Sequence, residues 1–225
     1  MTTTILWSGI TGRTGRLALQ VANNSFETRI VAGICRSDDH YYNYTQLEDI
    51  SESFDIIVDF SHQENLETIL HYAIKQNKPL IIGTAGLSDA QRLLIEQSSL
   101  IIPIFLGGNF QFKVKRFIDE VLNYAKNSSE PLRLVETHYK TKNIPSETAK
   151  VIKARVENET NQTLDIQSFL KFDEIINQWQ VADLICRVNG FKQLAVDVLT
   201  ISSMMIDKPA DGLYDLDKLA SQVTL

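Results

Sequence analysis

Ile5-Leu6-Trp7-Ser8-Gly9-Ile10-Thr11-Gly12-Arg13-Thr14-Gly15-Arg16, running into Leu17-Ala18-Leu19-Gln20-Val21-Ala22, decides how this chain folds. An apolar run, then glycines at every third position, then a helical pattern predict a strand, a tight turn and a helix start. Glycine admits positive φ and the close approach of another backbone or a ligand. A helix start offers unpaired N–H groups and the positive end of a dipole, the natural partner of a pyrophosphate. The stretch therefore predicts a dinucleotide site that uses Gly9, Thr11, Gly12, Arg13, Thr14 and Gly15. Its spacing, G-x-x-G-x-x-G, departs from the commoner G-x-G-x-x-G, and a βα turn holding no ligand is the alternative reading.

Working outward, apolar runs alternate with helical patterns. Ile30–Cys35, Ile56–Phe60, Leu80–Gly83 and Ile101–Phe105 read as further strands, with helices at Asn65–Gln76 and Ser88–Gln97, the latter opened by Ser88 as N-cap. This alternation predicts a doubly wound parallel sheet of the Rossmann type. Past Gly107-Gly108 the pattern changes to a helix at Phe112–Lys126, a strand at Leu132–Thr137, a short helix opened by Pro145-Ser146, and strands at Leu164–Phe172 and Val181–Val188. That is a second, smaller α+β domain. The expected division is a dinucleotide-binding domain over 1–108 plus 191–225, and a substrate-binding and oligomerisation domain over 109–190. The helix Lys192–Ile206 and the tail through Leu213-Tyr214 are expected to return to the first.

Length and charge exclude several classes. The 225 residues suffice for one core plus a lobe, and a net charge of −6 without any Lys/Arg block argues against a nucleic-acid surface. Met1-Thr2-Thr3-Thr4 lacks the charged and apolar regions of a signal peptide, and Leu100–Leu106 is too short to span a bilayer, so a cytoplasmic protein is expected. Cys35 and Cys186 show no C-x-x-C spacing and read as buried, reduced thiols. Asp38-Asp39-His40 has metal-ligand types but no distant partner, so no metal is expected.

In open α/β sheets ligands bind beyond the carboxyl ends of the strands. Three of those ends here carry Asp59-Phe60-Ser61, Gly83-Thr84-Ala85-Gly86 and Gly108-Asn109-Phe110. Each could be an ordinary turn, but their recurrence predicts one crevice for the nicotinamide end, with Phe60, Ser61, Gly83, Thr84, Asn109 and Phe110 as contacts. At the end of the second strand stands Cys35-Arg36-Ser37 in place of the acidic residue that grips an NAD ribose. Arg36 and Ser37, with Arg13 nearby, suit a 2′-phosphate, so NADPH is favoured, with NADH possible.

Taken in order, Gly9-x-x-Gly12-Arg13-x-Gly15-Arg16, Val58-Asp59-Phe60-Ser61, Gly83-Thr84-Ala85-Gly86, Gly108-Asn109-Phe110, Glu136-Thr137-His138-Tyr139-Lys140-Thr141-Lys142, Pro145-Ser146-x-Thr148-Ala149 and Lys208-Pro209-x-x-Gly212-Leu213-Tyr214 resemble the dihydrodipicolinate reductase family over nearly the whole chain. The resemblance implies NAD(P)H-dependent reduction of a cyclic imine dicarboxylate in lysine and diaminopimelate biosynthesis. It implies His138 as the acid/base group, Lys142 as proton donor and carboxylate contact, and Tyr139, Ser146, Glu147 and Thr148 around the substrate. Such chemistry needs a proton donor and cations facing a small dicarboxylate. Read without the family, His138 is a satisfied loop histidine and Lys142 a solvated charge.

The chain departs from the family where substrate would bind. The second residue of the His-His pair is Tyr139, which carries no charge at neutral pH. The glycine of Pro-Ser-Gly-Thr is Glu147, whose charge, about 4 Å from a carboxylate, costs about 1 kcal/mol in water and about 4 kcal/mol at an effective dielectric near 20, but little if it points outward. Lys142 is one residue closer to Pro145 than in the family pattern, which makes Lys140 a substitute. The family's Arg-x-Gly-Gly-Thr run has no clear counterpart near Ile166–Leu170. These departures leave open a catalytically impaired dinucleotide-binding sensor, or a reductase of another small imine or keto acid. The family's oligomer is expected to persist, as a dimer because the second lobe is shortened.

Overall fold

The computed structural model describes residues 1–36, 43–108, 110–140, 143–171, 177–188, 191–208 and 212–221. The chain divides into two units, Met1–Phe110 with Leu194–Leu225, and Gln111–Gln193.

In the first unit, strand β1 (Thr3–Ser8) runs through the glycine turn into helix α1 (Arg13–Ala22), followed by β2 (Thr28–Ile34) and the two-residue β3 (Asn43–Tyr44). Then come β4 (Ile56–Asp59), α2 (Leu66–Gln76), β5 (Leu80–Ile82), α3 (Asp89–Ser98) and β6 (Ile104–Leu106). These strands and a C-terminal β11 (Leu213–Tyr214) form one parallel sheet in the order β11-β6-β5-β4-β1-β2-β3. From β1 the chain winds one way through β2 and β3, then crosses back to wind the other way from β4, which is the doubly wound arrangement. Continuous apolar runs suit such strands because both faces are covered. Ile56, Ile57, Val58 and Asp59 are all 0 % exposed. Leu6, Ile57, Leu80, Ile82 and Ile104 share a core with Leu66, Ile69, Leu70 and Ala73 of α2 and Ile95 of α3. Ser88 caps α3 in a full capping box with Gln91.

The second unit holds α4 (Phe112–Asn127), β7 (Leu132–Tyr139), α5 (Glu147–Glu159), β8 (Leu164–Lys171), β9 (Asn177–Val181) and β10 (Leu184–Val188). Its sheet has the order β10-β9-β7-β8, with β7 and β8 parallel across the α5 connection and the other pairs antiparallel. One face is packed by α4 and α5: Leu132, Leu134, Trp179, Val181 and Cys186 share a core with Phe117, Val121, Ile152 and Val156. Helix α6 (Lys192–Met205) and a short α7 (Leu216–Ala220) complete the chain, and β11 adds to the first sheet beside β6. Among the described residues no helix is long and apolar enough to cross a membrane.

Four elements differ from the sequence expectation. The fifth strand begins at Ile104, because the Ile101 and Ile102 N–H groups bond back to the Ser98 carbonyl and Pro103 supplies no N–H. Val181–Val188 holds the last residue of β9, a turn at Ala182-Asp183 with Ala182 at φ +49°, a conformation that glycine or asparagine ordinarily announces, and β10, while Asn177–Gln180 of β9 lies outside the expected strand. The helix after Pro145 is 13 residues long. Strand β7 continues two residues past Thr137, which places His138 in the sheet and not in a loop.

Candidate functional site

The glycine turn is built by backbone contacts that leave no room for side chains. Gly9 has φ +80°, and a Cβ there would collide with the Phe60 carbonyl oxygen at the end of β4. A Cβ on Gly15 would lie 2.5 Å from the Ile10 carbonyl, so α1 can start this close to the strand only with glycine. The Gly12 N–H donates to the Gly9 carbonyl at 3.0 Å, and Arg16 Nε donates to the Thr11 carbonyl at 2.9 Å, closing the turn from outside. Gly12 is the N-cap of α1 and has no side-chain oxygen to cap the helix. Arg13 and Thr14 thus stand in the first turn of α1, facing solvent or half-buried. Trp7 Nε1 and Ser8 Oγ, just before the turn, are buried without a hydrogen-bond partner among the described residues. A helix start uncapped by its own side chains, in a turn that excludes Cβ atoms, fits a pyrophosphate.

The strand ends named in the sequence converge on this turn. Phe60 follows β4, and its ring lies 5.5 Å from Trp7, 5.1 Å from Phe110 and against Gly83, where any Cβ would meet the ring. Phe110 is only 3 % exposed and packs on Phe105, so its side chain is a floor for Phe60 and not a surface for ligand. Asp59, fully buried, was quoted in the sequence without a role. Its Oδ1 accepts from the Ser61 N–H at 3.2 Å and hydroxyl at 2.6 Å, while Oδ2 accepts from the Thr84 hydroxyl at 2.7 Å. Asp59 therefore ties the ends of β4 and β5 together. Ser61 and Thr84 both direct their hydroxyl protons at Asp59, and the Ser61 oxygen also accepts from Asn65 Nδ2 at 3.3 Å. Arg36 follows β2 and is exposed, whereas Ser37, Asn109, Lys142 and Asp38-Asp39-His40 lie outside the described residues.

In the second unit the alternation of β7 puts Leu132, Leu134, Glu136 and His138 on the buried face, with Thr137 and Tyr139 half-buried on the other. An acid and an imidazole on an apolar face must be paired. Glu136 Oε1 accepts from the Ser146 N–H at 2.9 Å and the Ser168 hydroxyl at 2.6 Å, and Oε2 from the Ser146 hydroxyl at 2.5 Å. His138 Nε2 lies 2.8 Å from Oε2, and Nδ1 lies 2.9 Å from Asn177 Oδ1. Burial pushes the Glu136 carboxyl up, but the bonds from His138, Ser146 and Ser168 outweigh it and hold it at about 2, against 4.5 ordinarily. The Trp179 ring meets His138 edge-on at 5.3 Å, and its Nε1 donates to the Ser146 hydroxyl at 3.2 Å.

This network sets the surroundings of the other candidates. Ser146 is the N-cap of α5, accepting from the Ala149 N–H at 3.2 Å. Thr148 is half-buried on the first turn of that helix. Glu147 points outward and pairs with Lys150 at 2.7 Å, its side chain 82 % exposed, so the repulsion its charge could exert on a nearby carboxylate is reduced by solvent. Lys140 is exposed, with Nζ 5.8 Å from the Tyr139 ring centroid. His138 is 0 % exposed with both nitrogens engaged, a satisfied core histidine in this conformation. Sequence reasoning assigned no role to Glu136, Ser168, Asn177 or Trp179. The period-two pattern Leu132-x-Leu134-x-Glu136-x-His138 was the available signal for the first.

A family model described as dihydrodipicolinate reductase, N-terminus, matches residues 3–110. Among curated proteins, the 4-hydroxy-tetrahydrodipicolinate reductase of Campylobacter lari is 31 % identical over 183 residues, covering 76 % of this chain and 69 % of that protein. The one from Zymomonas mobilis is 32 % identical over 149 residues, covering 64 % of this chain and 59 % of that protein. The match thus spans about three-fifths of the length of the first such relatives. Among solved structures, a dipicolinate-bound dihydrodipicolinate reductase from Paenisporosarcina sp. TG-14 superposes with TM-score 0.81 at 16 % identity, covering 96 % of this chain and 98 % of that one.

Proposed function

Since the chain belongs to the dihydrodipicolinate reductase family, we propose that it reduces a dihydrodipicolinate-type cyclic imine dicarboxylate at the expense of a nicotinamide dinucleotide, as a cytoplasmic enzyme of lysine and diaminopimelate biosynthesis. The observation that carries the cofactor half is the β1–α1 turn, where Gly9 and Gly15 exclude Cβ atoms and α1 opens without a side-chain cap. The dinucleotide, when bound, supplies hydride. Gly12 and the first turn of α1 hold the pyrophosphate, and Phe60, braced by Gly83 and Phe110, walls the nicotinamide end. Arg36, exposed at the end of β2, accommodates a 2′-phosphate, so NADPH is preferred over NADH.

For the substrate half, Thr148 at the start of α5 receives a carboxylate, with Tyr139 as a hydrogen-bond donor. Ser146, whose N–H and hydroxyl both go to Glu136, holds that helix start in place and is not itself a carboxylate contact. Outward-pointing Glu147 leaves that helix start accessible to an anion. His138 and a lysine of the Lys140–Lys142 loop carry the proton chemistry. The decisive experiment is NADPH oxidation by the purified protein with substrate made in situ by the preceding synthase. His138→Gln should lower kcat by about 10²–10⁴-fold while NADPH affinity stays nearly unchanged. A variant as fast as the unmutated protein refutes that role.

A second reading is favoured by one observation: both nitrogens of His138 are engaged inside the protein. On that reading the chain binds the dinucleotide without turnover, as a sensor. Calorimetric NADPH binding without any oxidation in the coupled assay selects it.

A further inference from the structure

We propose that Glu136 is a positioning residue that holds the Nε2–H of His138 and leaves Nδ1, beneath Asn177, as the nitrogen through which the ring exchanges a proton.

The assignment rests on donor and acceptor chemistry. An ionised carboxylate only accepts, so the nitrogen 2.8 Å from Glu136 Oε2 must carry a hydrogen. Nδ1 faces Asn177 Oδ1, which also only accepts, so that contact is a donation from the doubly protonated ring, and in the neutral ring Asn177 turns its amide NH2 to Nδ1. The other oxygen, Oε1, is already taken by the Ser146 N–H and the Ser168 hydroxyl, which pin the carboxylate from α5 and β8. Trp179 closes the side of the ring and is itself tied to Ser146, so the ring cannot turn over without breaking that packing. The two nitrogens then differ in access. The Nε2 contact is buried, whereas the Nδ1 contact to Asn177 is only part-buried, and Asn177 itself is half-exposed. A neutral amide side chain can swing aside without uncovering a charge, and Glu136 cannot. The hydrogen bond made by one imidazole nitrogen decides what the other can do, as the carboxylate does for the histidine of a hydrolase triad.

The catalytic consequence rests on the reductase reading given above. Reduction of a C=N bond adds hydride to carbon and a proton to nitrogen. With the ring doubly protonated, the Nδ1–H bond breaks, its electron pair stays on Nδ1, and the proton bonds to the substrate nitrogen. The ring is left neutral with Nε2–H still on Glu136, and solvent returns the proton to Nδ1. Had the ring been held the other way, the outward nitrogen would be the one locked on the carboxylate.

The test is long-range ¹H–¹⁵N correlation on the ¹⁵N-labelled full chain, whose four histidines are few enough to assign by His138→Gln. The neutral His138 ring should carry its proton on Nε2, in the unmutated protein and in Asn177→Ala alike. Glu136→Gln should shift the tautomer and lower kcat by about 10²–10⁴-fold with the dinucleotide KM unchanged. A neutral ring protonated on Nδ1 overturns the proposal, and so does a Glu136→Gln variant whose tautomer and kcat are unaltered. If that variant does not fold, the unmutated spectrum alone decides. Absence of turnover in the unmutated protein defeats the reductase reading and the catalytic use of Nδ1 with it, while the tautomer tests Glu136 independently.

Discussion

Glu136 enters the folded state ionised because hydrogen bonds from His138, Ser146 and Ser168 outweigh the penalty of its burial, and this links stability to pH. A folded value of about 2 against 4.5 in the unfolded chain means that the contribution is complete above the unfolded value and is lost as pH falls from there towards the folded one. Its upper bound is about 3 kcal/mol. Urea midpoints should therefore fall between pH 6 and pH 3, and Ser168→Ala, which removes one donor, should make that fall shallower. Equal slopes in both proteins would show that the acid sensitivity lies elsewhere. At the opposite end of the chain's chemistry, Arg36 is the exposed cation at the end of β2. In calorimetric titrations Arg36→Ala should narrow the difference between NADPH and NADH, and equal affinities in the unmutated protein would remove the basis for any 2′-phosphate preference.

Among the elements, the strand, turn and helix over Thr3–Ala22 hold the tightest geometry. Gly9→Ala places a Cβ against the Phe60 carbonyl at a positive φ that itself costs about 1–2 kcal/mol. Either the turn or the end of β4 must move, and dinucleotide affinity should drop at least about tenfold; unchanged affinity would mean that the turn is not the binding element. This unit was legible in the sequence because glycine has few reasons to recur at a strand end, and because buried parallel strands are continuously apolar. The capping box at Ser88 and Gln91 was half legible, through the N-cap alone. The second unit was less so. The β9–β10 turn uses Ala182 in a left-handed conformation that no residue type announces, so the turn reads into one strand with β10, and β9 before Val181 does not read as a strand. The identity of His138 as a candidate came from the resemblance, but its placement depends on where β7 ends, and strand ends are poorly marked by periodicity. Its partners Ser168 and Asn177 are unremarkable in sequence and acquire meaning only when β8 and β9 flank β7. Glu147 illustrates the reverse: its charge looked obstructive from its position alone, and the helix geometry turns it toward Lys150 and solvent. Tyr139→His with Glu147→Gly should raise turnover of the dipicolinate precursor if these substitutions weaken it, and unchanged turnover would clear both residues.

For the molecule as a whole, the remaining question is what covers the second sheet. Helices α4 and α5 pack one face, and the other carries Val135 and Thr137 of β7, Phe169 of β8, Gln178 and Gln180 of β9 and Ile185 of β10. Cross-strand register brings Thr137 beside both Phe169 and Gln178, and Gln180 beside both Val135 and Ile185, so these side chains form adjoining rows. Phe169 is 47 % exposed and Ile185 57 %, large apolar side chains on a face whose alternation also places Arg133, Asp165, Lys171 and Arg187 there. Strands β8 and β10 also end the sheet with edges that invite pairing. A second copy laid on this face in two-fold fashion would bury the same rows twice, and a stable contact needs about 800 Å² from each partner. We therefore expect a dimer, closed through the second unit. Sedimentation at micromolar concentration should show it, and Phe169→Asp or Ile185→Asp should shift it to monomer while leaving dinucleotide binding in the first unit intact. A monomer in the unmutated protein would refute the interface, and a dimer insensitive to both substitutions would place it on another surface.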